Sequence, residues 1–444
     1  MKYKTVLFTK DFIKQIKTSK DTINIFCGAS IRVKYLIKKY SLFNQINYIL
    51  DNFSNEKYFL DIPIIRFSDL INMDKKLFIL CGSHQKTFYK QINTIPHSDY
   101  IFEFNRKALP LLFNDNFTFE VEVPNFQSGF GIENRNIFAK SLINELLLFN
   151  QKISTIPIKP KNEEFLRKRV VKQNSLLFSY HGIGDKNFGK IHYKEGYFFD
   201  LITYDDTGYS GWSSLCSDEK EIEKIKQIDI KKAEKDFLYY KAKYIDKNRS
   251  KYEQPDIDDV LFPKEFVFIP LQIFTDSVMA KSYFEPMEWF RKTVEFLTKK
   301  NINIVIKRHP RCYLKEVEAE LEKLKNQKNI TIYSGSIHHA INKCSVVYTI
   351  NSGSGFEALF HLKPIVTFGE VDYQSATFNI KDFKELEANP IPALSEEKII
   401  YIKQFLSYYM REKNININSK KSIEKFIDNF VLRYLNSLLK DNKI

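Results

Sequence analysis

The sequence has few cysteines and few residues that break regular structure. Its five cysteines are an odd number and no Cys-x-x-Cys pair occurs, so neither a disulfide framework nor a zinc knot is indicated. Only 14 glycines and 14 prolines occur in 444 residues, which excludes collagen-like or linker-like chains. No apolar run is long enough to span a membrane, and the apolar piece near the N-terminus is too short for a signal peptide. We therefore expect a cytoplasmic protein whose membrane contact, if any, is peripheral.

The charge is strongly basic but dispersed. The chain carries 68 Lys and Arg against 54 Asp and Glu, a net charge of +14, with no long basic tail. Such a surface favours nucleic acid, an anionic membrane face or anionic small substrates, although a compositional bias toward lysine explains it equally well. No nucleic-acid-binding module is recognisable, so a nucleic-acid partner is not expected.

Strands and helices alternate regularly in the second half of the chain. The predicted strands are Phe266–Pro270, Asn303–Lys307, Ile330–Tyr333, Ser345–Ile350 and Pro364–Phe368, with predicted helices between them near Pro286–Lys300, Tyr313–Asn326, Ser336–Asn342 and Gly355–Leu362. Apolar strands separated by crossover helices predict a doubly wound parallel sheet, whose ligands bind at the carboxyl ends of the strands.

The remainder of the chain is predicted as a second α/β domain and a helical tail. Residues 1–261 form the N-terminal domain, 262–390 the C-terminal domain, and 391–444 helices that pack back on the N-terminal domain. The Lys-, Glu- and Ile-rich stretch Lys220–Lys251 predicts a long exposed helix, and Gln254–Asp259 a linker. In the last helix, apolar residues from Ile423 to Leu438 recur at steps of three and four, which indicates a packed face.

Three predicted strand ends carry polar groups that converge on one crevice. The first includes Gln272 and Asp276, the second is Lys307-Arg308-His309-Pro310, and the third is Asn351-Ser352-Gly353-Ser354-Gly355-Phe356-Glu357.

The serine loop fits an anion. Its small residues expose backbone N–H groups at the start of a helix, and the hydroxyls of Ser352 and Ser354 can donate to phosphate oxygens. Gly353 and Gly355 permit close approach, and Glu357 can accept from ribose hydroxyls. The spacing matches neither a P-loop nor Gly-x-Gly-x-x-Gly, and a plain helix cap would show the same pattern.

Histidines and aromatic residues supply the other candidates. His309, beside Lys307 and Arg308, can hydrogen-bond or protonate a leaving phosphate, whereas a strand-end histidine is also often structural. His339 has a weaker claim, and no metal site is indicated. Tyr209 and Trp212 lie in a segment rich in glycine and aromatic residues that suits stacking on sugars, although such a tryptophan also packs in turn-rich loops.

Taken in order, these residues resemble the retaining β-Kdo glycosyltransferases of bacterial capsule and O-antigen biosynthesis, which use CMP-Kdo. The resemblance covers roughly residues 170 to 375. It rests on Lys307-Arg308-His309-Pro310, Ser336-Ile337-His338-His339, Asn351 to Leu359, Lys363-Pro364 with Phe368-Gly369, and Asp205-x-x-Gly208-Tyr209-Ser210-Gly211-Trp212. The His-Pro and serine motifs are also shared with bacterial sialyltransferases.

The resemblance implies a fold of the GT-B type, with two Rossmann-like domains and the nucleotide-sugar donor on the second. His309, Ser352 and Ser354 would hold the donor phosphate, and Asp276 would attack the anomeric carbon to form a covalent intermediate, unless it only caps a helix. Asp205 is the first candidate for the acid/base, with Glu195 and His181 as alternatives.

The resemblance also implies partners and a location. The acceptor would be a lipid-linked saccharide, a growing surface polysaccharide or glycolipid at the cytoplasmic face of the anionic inner membrane. Because CMP leaves as a monophosphate ester, His309, the serines and the helix dipole can neutralise it, so no cofactor and no metal are expected. The alternatives are another nucleotide-sugar enzyme, such as a sialyltransferase or a UDP- or GDP-sugar transferase, or a basic nucleic-acid-binding protein.

Overall fold

Three β-sheets follow one another along the chain. They are seen in a computed structural model that describes residues 2–6, 23–28, 33–34, 37–38, 41–52, 54–73, 76–80, 98–104, 117–124, 132–147, 149, 151–158, 168–257 and 260–440. The second and third sheets carry the features predicted from the sequence. The first sheet was not separated from the second by the sequence pattern, and the predicted domain boundaries stay a prediction.

The first sheet has seven strands in the order β1-β7-β6-β2-β3-β5-β4. Its strands are β1 (Lys2–Val6), β2 (Ile23–Cys27), β3 (Tyr48–Leu50), β4 (Tyr58–Phe59), β5 (Ile62–Ile65), β6 (Lys76–Leu80) and β7 (Ser98–Phe104). All pairings are parallel except β4 with β5. Buried Phe26 and Ile49 of this sheet join one apolar core with Phe119 and Phe178 of the second sheet.

The second sheet is mixed. It contains β8 (Thr118–Pro124), β9 (Lys152–Ile158), β10 (Ser175–Tyr180), β11 (Lys190–Glu195) and β12 (Leu201–Asp205), with helix α1 (Ile132–Leu147) between its first two strands. The strands from β9 through β8 and β10 to β11 are parallel, and β12 runs antiparallel to β11.

The predicted long exposed helix at Lys220–Lys251 is wrong. The segment instead forms α2 (Glu219–Lys226), α3 (Ile230–Tyr240) and a π-helical turn over Lys241–Ile245. Asp229 caps α3 by accepting a hydrogen bond from the N–H of Lys232, so a new helix begins at this point. Ile225, Phe237 and Tyr244 are buried in the apolar core of the third sheet, which the density of charged residues concealed.

The third sheet is a doubly wound parallel sheet, as predicted. It consists of β13 (Val267–Pro270), β14 (Ile304–Lys307), β15 (Ile330–Tyr333), β16 (Val346–Thr349), β17 (Ile365–Thr367) and β18 (Phe378–Asn379), and its helices are α4 (Pro286–Lys299), α5 (Lys315–Leu324), α6 (Ile337–Lys343) and α7 (Gly353–Leu359). The strand order β15-β14-β13-β16-β17-β18 reverses between β13 and β16. Ligands of such sheets bind at this switch point. The prediction that β13 and β14 are parallel neighbours is confirmed.

The tail returns to the second sheet, as predicted. After α8 (Glu396–Glu412), strand β19 (Asn414–Asn416) pairs antiparallel with β12, and α9 (Lys420–Lys440) follows. The rings of Phe426 and Phe430 on α9 lie 5.8 and 5.0 Å from the ring of Phe178. The predicted α/β fold, with two Rossmann-like sheets and a returning helical tail, is therefore confirmed for the second and third sheets.

Candidate active site

A cleft with a volume of about 310 Å³ lies where the second sheet meets the switch point of the third. One wall comes from the end of β11 and the turn after it, from Lys194 to Tyr197. The opposite wall comes from the loops after β13, β14 and β16. Residues 250–255 close the side between them. We call residues 248–255 the connector, because they lead from the second sheet to the third.

Nine of the predicted site residues line this cleft, and five do not. Those in the cleft are Gln272, Asp276, Lys307, Arg308, His309, Ser352, Gly353, Ser354 and Glu357. Asp205, Tyr209, Trp212, His339 and Gly355 are absent from its lining.

Gln272 joins two of the loops at the switch point. Its side-chain amide donates to Asn351 Oδ1 at 2.8 Å, and its carbonyl accepts from the N–H of Asn351 at 3.2 Å. Both side chains are buried. Because these groups already satisfy each other, Gln272 fixes the position of the serine loop instead of presenting free polar groups to a substrate.

The serine loop opens helix α7. Ser352 is its N-cap and accepts a hydrogen bond from the N–H of Ser354 at 3.3 Å. The N–H of Gly355 also has a partner, since it donates to the carbonyl of Ser352 at 3.0 Å, so an anion at this helix start would be bound mainly by the serine hydroxyls. Gly355 has another role, because a Cβ there would lie 2.3 Å from the hydroxyl of Tyr373, which hydrogen-bonds the carbonyl of Ser352. Gly355 thus permits a packing contact behind the loop.

His309 is held in one tautomer. Its Nδ1 accepts a hydrogen bond from the backbone N–H of Arg311 at 3.1 Å, so the neutral ring carries its proton on Nε2. Burial, with the repulsion of Lys251, lowers the pKa of His309 to about 4. The ring of Tyr252 stands edge-on to it at 5.2 Å. At neutral pH, His309 is therefore a neutral hydrogen-bond donor.

The two cations before His309 are partly engaged by the protein. Lys307 donates to the carbonyls of Ser334 and Gly335 at 3.0 and 2.6 Å, which secures the loop after β15. Arg308 lies 3.9 Å from Glu318, a weak ion pair at the edge of the cleft. The arginine is therefore better placed than the lysine to move toward a ligand.

Glu357 is a buried acid in the floor of the cleft. Burial raises the pKa of Glu357 to about 8, so the carboxyl is protonated at neutral pH. It shares a hydrogen bond with Ser250 of the connector, while its Oε1 has no hydrogen-bond partner among the described residues. The sequence predicted an acceptor for ribose hydroxyls, whereas a protonated acid can also donate.

Asp276 follows β13 and caps the 3-10 helix Ser277–Lys281, accepting from the N–H of Val278 at 3.3 Å. Its carboxylate opens to the cleft. Burial raises its pKa, but the charges of Lys194 and His181 outweigh this and leave the pKa lowered. Asp276 thus combines a capping role with an ionised carboxylate accessible to a ligand.

The structure places Asp205 in a buried ion pair instead of the cleft. Lys413 lies 3.0 Å from it, and Ser213, Ser214 and Thr207 donate further hydrogen bonds. Burial raises the pKa of Asp205, but Lys413 and the hydrogen bonds outweigh it and lower the pKa well below its usual range. An acid so strongly held ionised is a poor proton shuttle. The assignment of Asp205 as the acid/base is therefore not supported by its geometry.

The predicted aromatic and histidine contacts are also made within the protein. The hydroxyl of Tyr209 is 2.9 Å from Ser277 Oγ, and its ring packs 5.2 Å from that of Trp212. His339 packs against Phe262 at 5.1 Å. These side chains support the walls of the site.

Several cleft residues were missed or ranked low from the sequence. Glu195, an alternative acid/base, lines the cleft, accepts from the hydroxyl of Tyr180 at 2.8 Å and lies 3.5 Å from His181. Lys194 beside it was not singled out, and neither was Lys251 of the connector. Both lie in lysine-rich segments, where no local pattern distinguishes a cleft lysine from a solvated one.

Residues 196–379 match the model of a family described as capsule polysaccharide biosynthesis protein. For this segment, the match confirms the predicted resemblance to proteins of capsule polysaccharide biosynthesis. The capsule-family segment contains the connector, the serine loop, His309 and Asp276, and it begins one residue after Glu195. No curated protein matches the chain.

Solved structures with a similar arrangement are distant. One is KpsC, a β-Kdo 2,7 transferase of Thermosulfurimonas dismutans, at 18% identity, covering 67% of this chain and 92% of that one with a TM-score of 0.41. A β-Kdo 2,4 transferase KpsC of the same organism gives 15% identity, 68% and 94% coverage and a TM-score of 0.42. UDP-GlcNAc 2-epimerase of Methanocaldococcus jannaschii is 12% identical to this chain. The match covers 92% of this chain and 99% of the epimerase, with a TM-score of 0.22.

Proposed function

We propose that this protein is a glycosyltransferase of capsule polysaccharide synthesis that transfers Kdo from CMP-Kdo with retention of configuration. The observation that carries the proposal is the convergence of Asp276, His309 and the serine loop on one cleft at the switch point. This arrangement joins an ionised carboxylate to a phosphate-binding loop, as double displacement requires.

In the first step, Asp276 attacks the anomeric carbon and forms a sugar ester while CMP leaves. The developing phosphate charge receives a hydrogen bond from Nε2–H of His309 and from the hydroxyls of Ser352 and Ser354. Proximity of the anion to His309 raises the histidine's proton affinity, which strengthens this bond as charge develops. We propose that these donors make a metal ion unnecessary, and turnover in excess EDTA tests this.

In the second step, an acceptor hydroxyl attacks the anomeric carbon, and the bond between that carbon and the Asp276 carboxylate breaks to release the free aspartate. We assign the removal of the hydroxyl proton to Glu195, because it lies in the cleft whereas Asp205 does not. His181, at 3.5 Å, can support the charge of Glu195. Attack from the face opened by CMP departure gives net retention.

We propose a lipid-linked saccharide as the acceptor, used at the cytoplasmic face of the inner membrane. In the described part of the chain, none of the helices combines the length and the apolar character needed to cross a bilayer. Access to a lipid-linked acceptor would then depend on peripheral contact. Co-sedimentation with anionic vesicles, with neutral vesicles as the control, tests this contact.

The central experiment traps the ester. Wild-type protein given CMP-Kdo without acceptor should gain the mass of one Kdo on the peptide that contains Asp276, and Asp276→Asn should abolish both adduct and transfer while CMP still binds. Asp382→Asn is a matched control, because Asp382 also caps a 3-10 helix but lies outside the cleft. Transfer by Asp276→Asn at the normal rate, with no adduct on any carboxylate, would contradict the mechanism.

A parallel donor series tests the sugar and the nucleotide. Turnover of CMP-sialic acid in place of CMP-Kdo would identify the alternative, a sialyltransferase. Turnover of UDP- or GDP-sugars alone would exclude the CMP-sugar proposal altogether. An adduct on Glu195 would reassign the nucleophile and retain double displacement.

A further inference from the structure

Two lysines line the cleft, one from the second sheet and one from the connector, and neither has an ion-pair partner in the described part of the chain. Lys194 lies at the end of β11 on the second sheet, and Lys251 belongs to the connector. Within the residues that the structure describes, neither lysine forms an ion pair or hydrogen bond with a side chain or carbonyl. The remaining contact of Lys194 is with the ring face of Tyr209, 4.7 Å from its Nζ.

Both lysines act on the same small volume. Lys194 and Lys251 line the same cleft of about 310 Å³. Burial, together with the repulsion of Lys251, lowers the pKa of Lys194. Asp276 attracts both of them, but it is one carboxylate between two cations and is not in ion-pair contact with either. A second anion placed there would relieve the repulsion and complete the pairing.

Lys194 and Lys251 cannot easily move apart. The ring of Tyr209 contacts the ammonium group of Lys194, and its hydroxyl is hydrogen-bonded to Ser277. The connector is fastened to α6, because Asn248 accepts from Ser336 at 2.6 Å and Gln254 accepts from the N–H of Ile337 at 3.0 Å. The two lysines are thus held in place by contacts of the second sheet and of the connector.

We infer that Lys194 and Lys251 form a carboxylate-binding subsite that selects donor sugars carrying an acid group next to the anomeric carbon. The inference deepens the proposed function and rests on it for the position of the sugar. The donor phosphate lies toward His309 and Asp276 faces the anomeric carbon, so a carboxylate on that carbon falls between the lysines near Asp276. A neutral hexose would leave both cations unpaired.

The test compares ligands that differ only in that charge. In the presence of CMP, free Kdo and its C1 carboxamide are titrated into wild-type protein and into Lys194→Gln, Lys251→Gln and Lys194→Arg. Wild-type protein should bind the acid on the order of tenfold or more tightly than the amide, as a charge-assisted contact implies. Lys194→Gln and Lys251→Gln should each remove most of this preference, and Lys194→Arg should restore part of it.

CMP binding separates the subsite from a general loss of charge or of folding. CMP affinity should change less than about threefold in Lys194→Gln, since the phosphate contacts lie elsewhere. Lys231→Gln, on the exposed side of α3, is the matched control and should keep the full acid preference. An equal affinity of wild-type protein for acid and amide, or a full preference retained by both Gln variants, would overturn the inference.

Failure of the proposed function gives a different pattern. If the acid preference depends on both lysines but CMP-Kdo is not turned over, the subsite stands and the reaction is misassigned. If CMP-Kdo is turned over and Lys194→Gln and Lys251→Gln leave kcat/KM unchanged, the reaction stands and the subsite is refuted.

Discussion

Replacing Glu357 by glutamine should make the stability of the protein less dependent on pH. The carboxyl is 3% exposed, and burial raises its pKa to about 8 from 4.5. Below about pH 4.5 both the folded and the unfolded chain hold the proton, so its stabilising contribution is complete. Between about pH 4.5 and 8 only the folded chain holds it, and the stability therefore falls as the pH rises. Glutamine keeps the shape and does not titrate.

The magnitude follows from the same values. Between pH 6 and pH 8, linkage gives the wild-type chain a loss of about 2 kcal/mol relative to Glu357→Gln, because each pH unit in this window contributes up to about 1.4 kcal/mol. Ser250 and Lys251, the groups of the connector that interact with Glu357, are unchanged in the variant. Most of the difference should disappear below pH 5.

Urea unfolding at several pH values measures this difference. The fluorescence of Trp289, which is buried in the core of the third sheet, follows the unfolding of the domain that contains Glu357. Glu385→Gln, at an exposed 3-10 helix start, is a control that should show no such pH dependence. A constant difference between wild type and Glu357→Gln from pH 5 to pH 9 would refute the proton assignment.

Two further substitutions test buried contacts outside the lining of the cleft. Gly355→Ala should lower the free energy of unfolding by about 1–3 kcal/mol, because the added Cβ would lie 2.3 Å from the Tyr373 hydroxyl. In the double variant, Tyr373→Phe should recover part of this loss. An unchanged urea midpoint in Gly355→Ala would contradict the prediction. Lys413→Met should lower the free energy of unfolding by about 3–5 kcal/mol, because Asp205 and Glu221, which lie 3.0 and 3.1 Å from Lys413 Nζ, would lose the cation that they share. The control is Lys425→Met, which removes a lysine from an exposed ion pair and should have little effect in the same assay.

The third sheet was predictable because its central strands are almost completely buried. Such strands appear as short continuous apolar runs, and β13, β14 and β16 were located within one or two residues. The switch-point rule then brought Gln272, His309 and the serine loop together without knowledge of any contact. In a parallel sheet the carboxyl ends of neighbouring strands lie at the same edge. This part of the site could therefore be predicted from the positions of the strands in the sequence.

Asp205 shows where local pattern fails. It stands in a segment with glycines, aromatic residues and a tryptophan, which suggests a sugar site. Its partner Lys413 is 208 residues further along the chain and reaches it only because β19 pairs with β12. No spacing rule connects the two residues. Lys194 could not be predicted for the same reason, because it lines the cleft only through the packing of the second sheet against the third.

The first histidine of the tandem pair His338-His339 contacts the connector. His338 hydrogen-bonds the carbonyl of Arg249 at 2.9 Å and His361 at 3.2 Å, and burial lowers the pKa of both rings, that of His361 to about 3. With Ser336, it holds the connector on α6. The connector in turn brings Ser250 to Glu357 and Tyr252 to His309. The histidine motif therefore fixes the connector beside the cleft. The first two residues of the predicted linker, Gln254 and Pro255, belong to the connector and line the cleft.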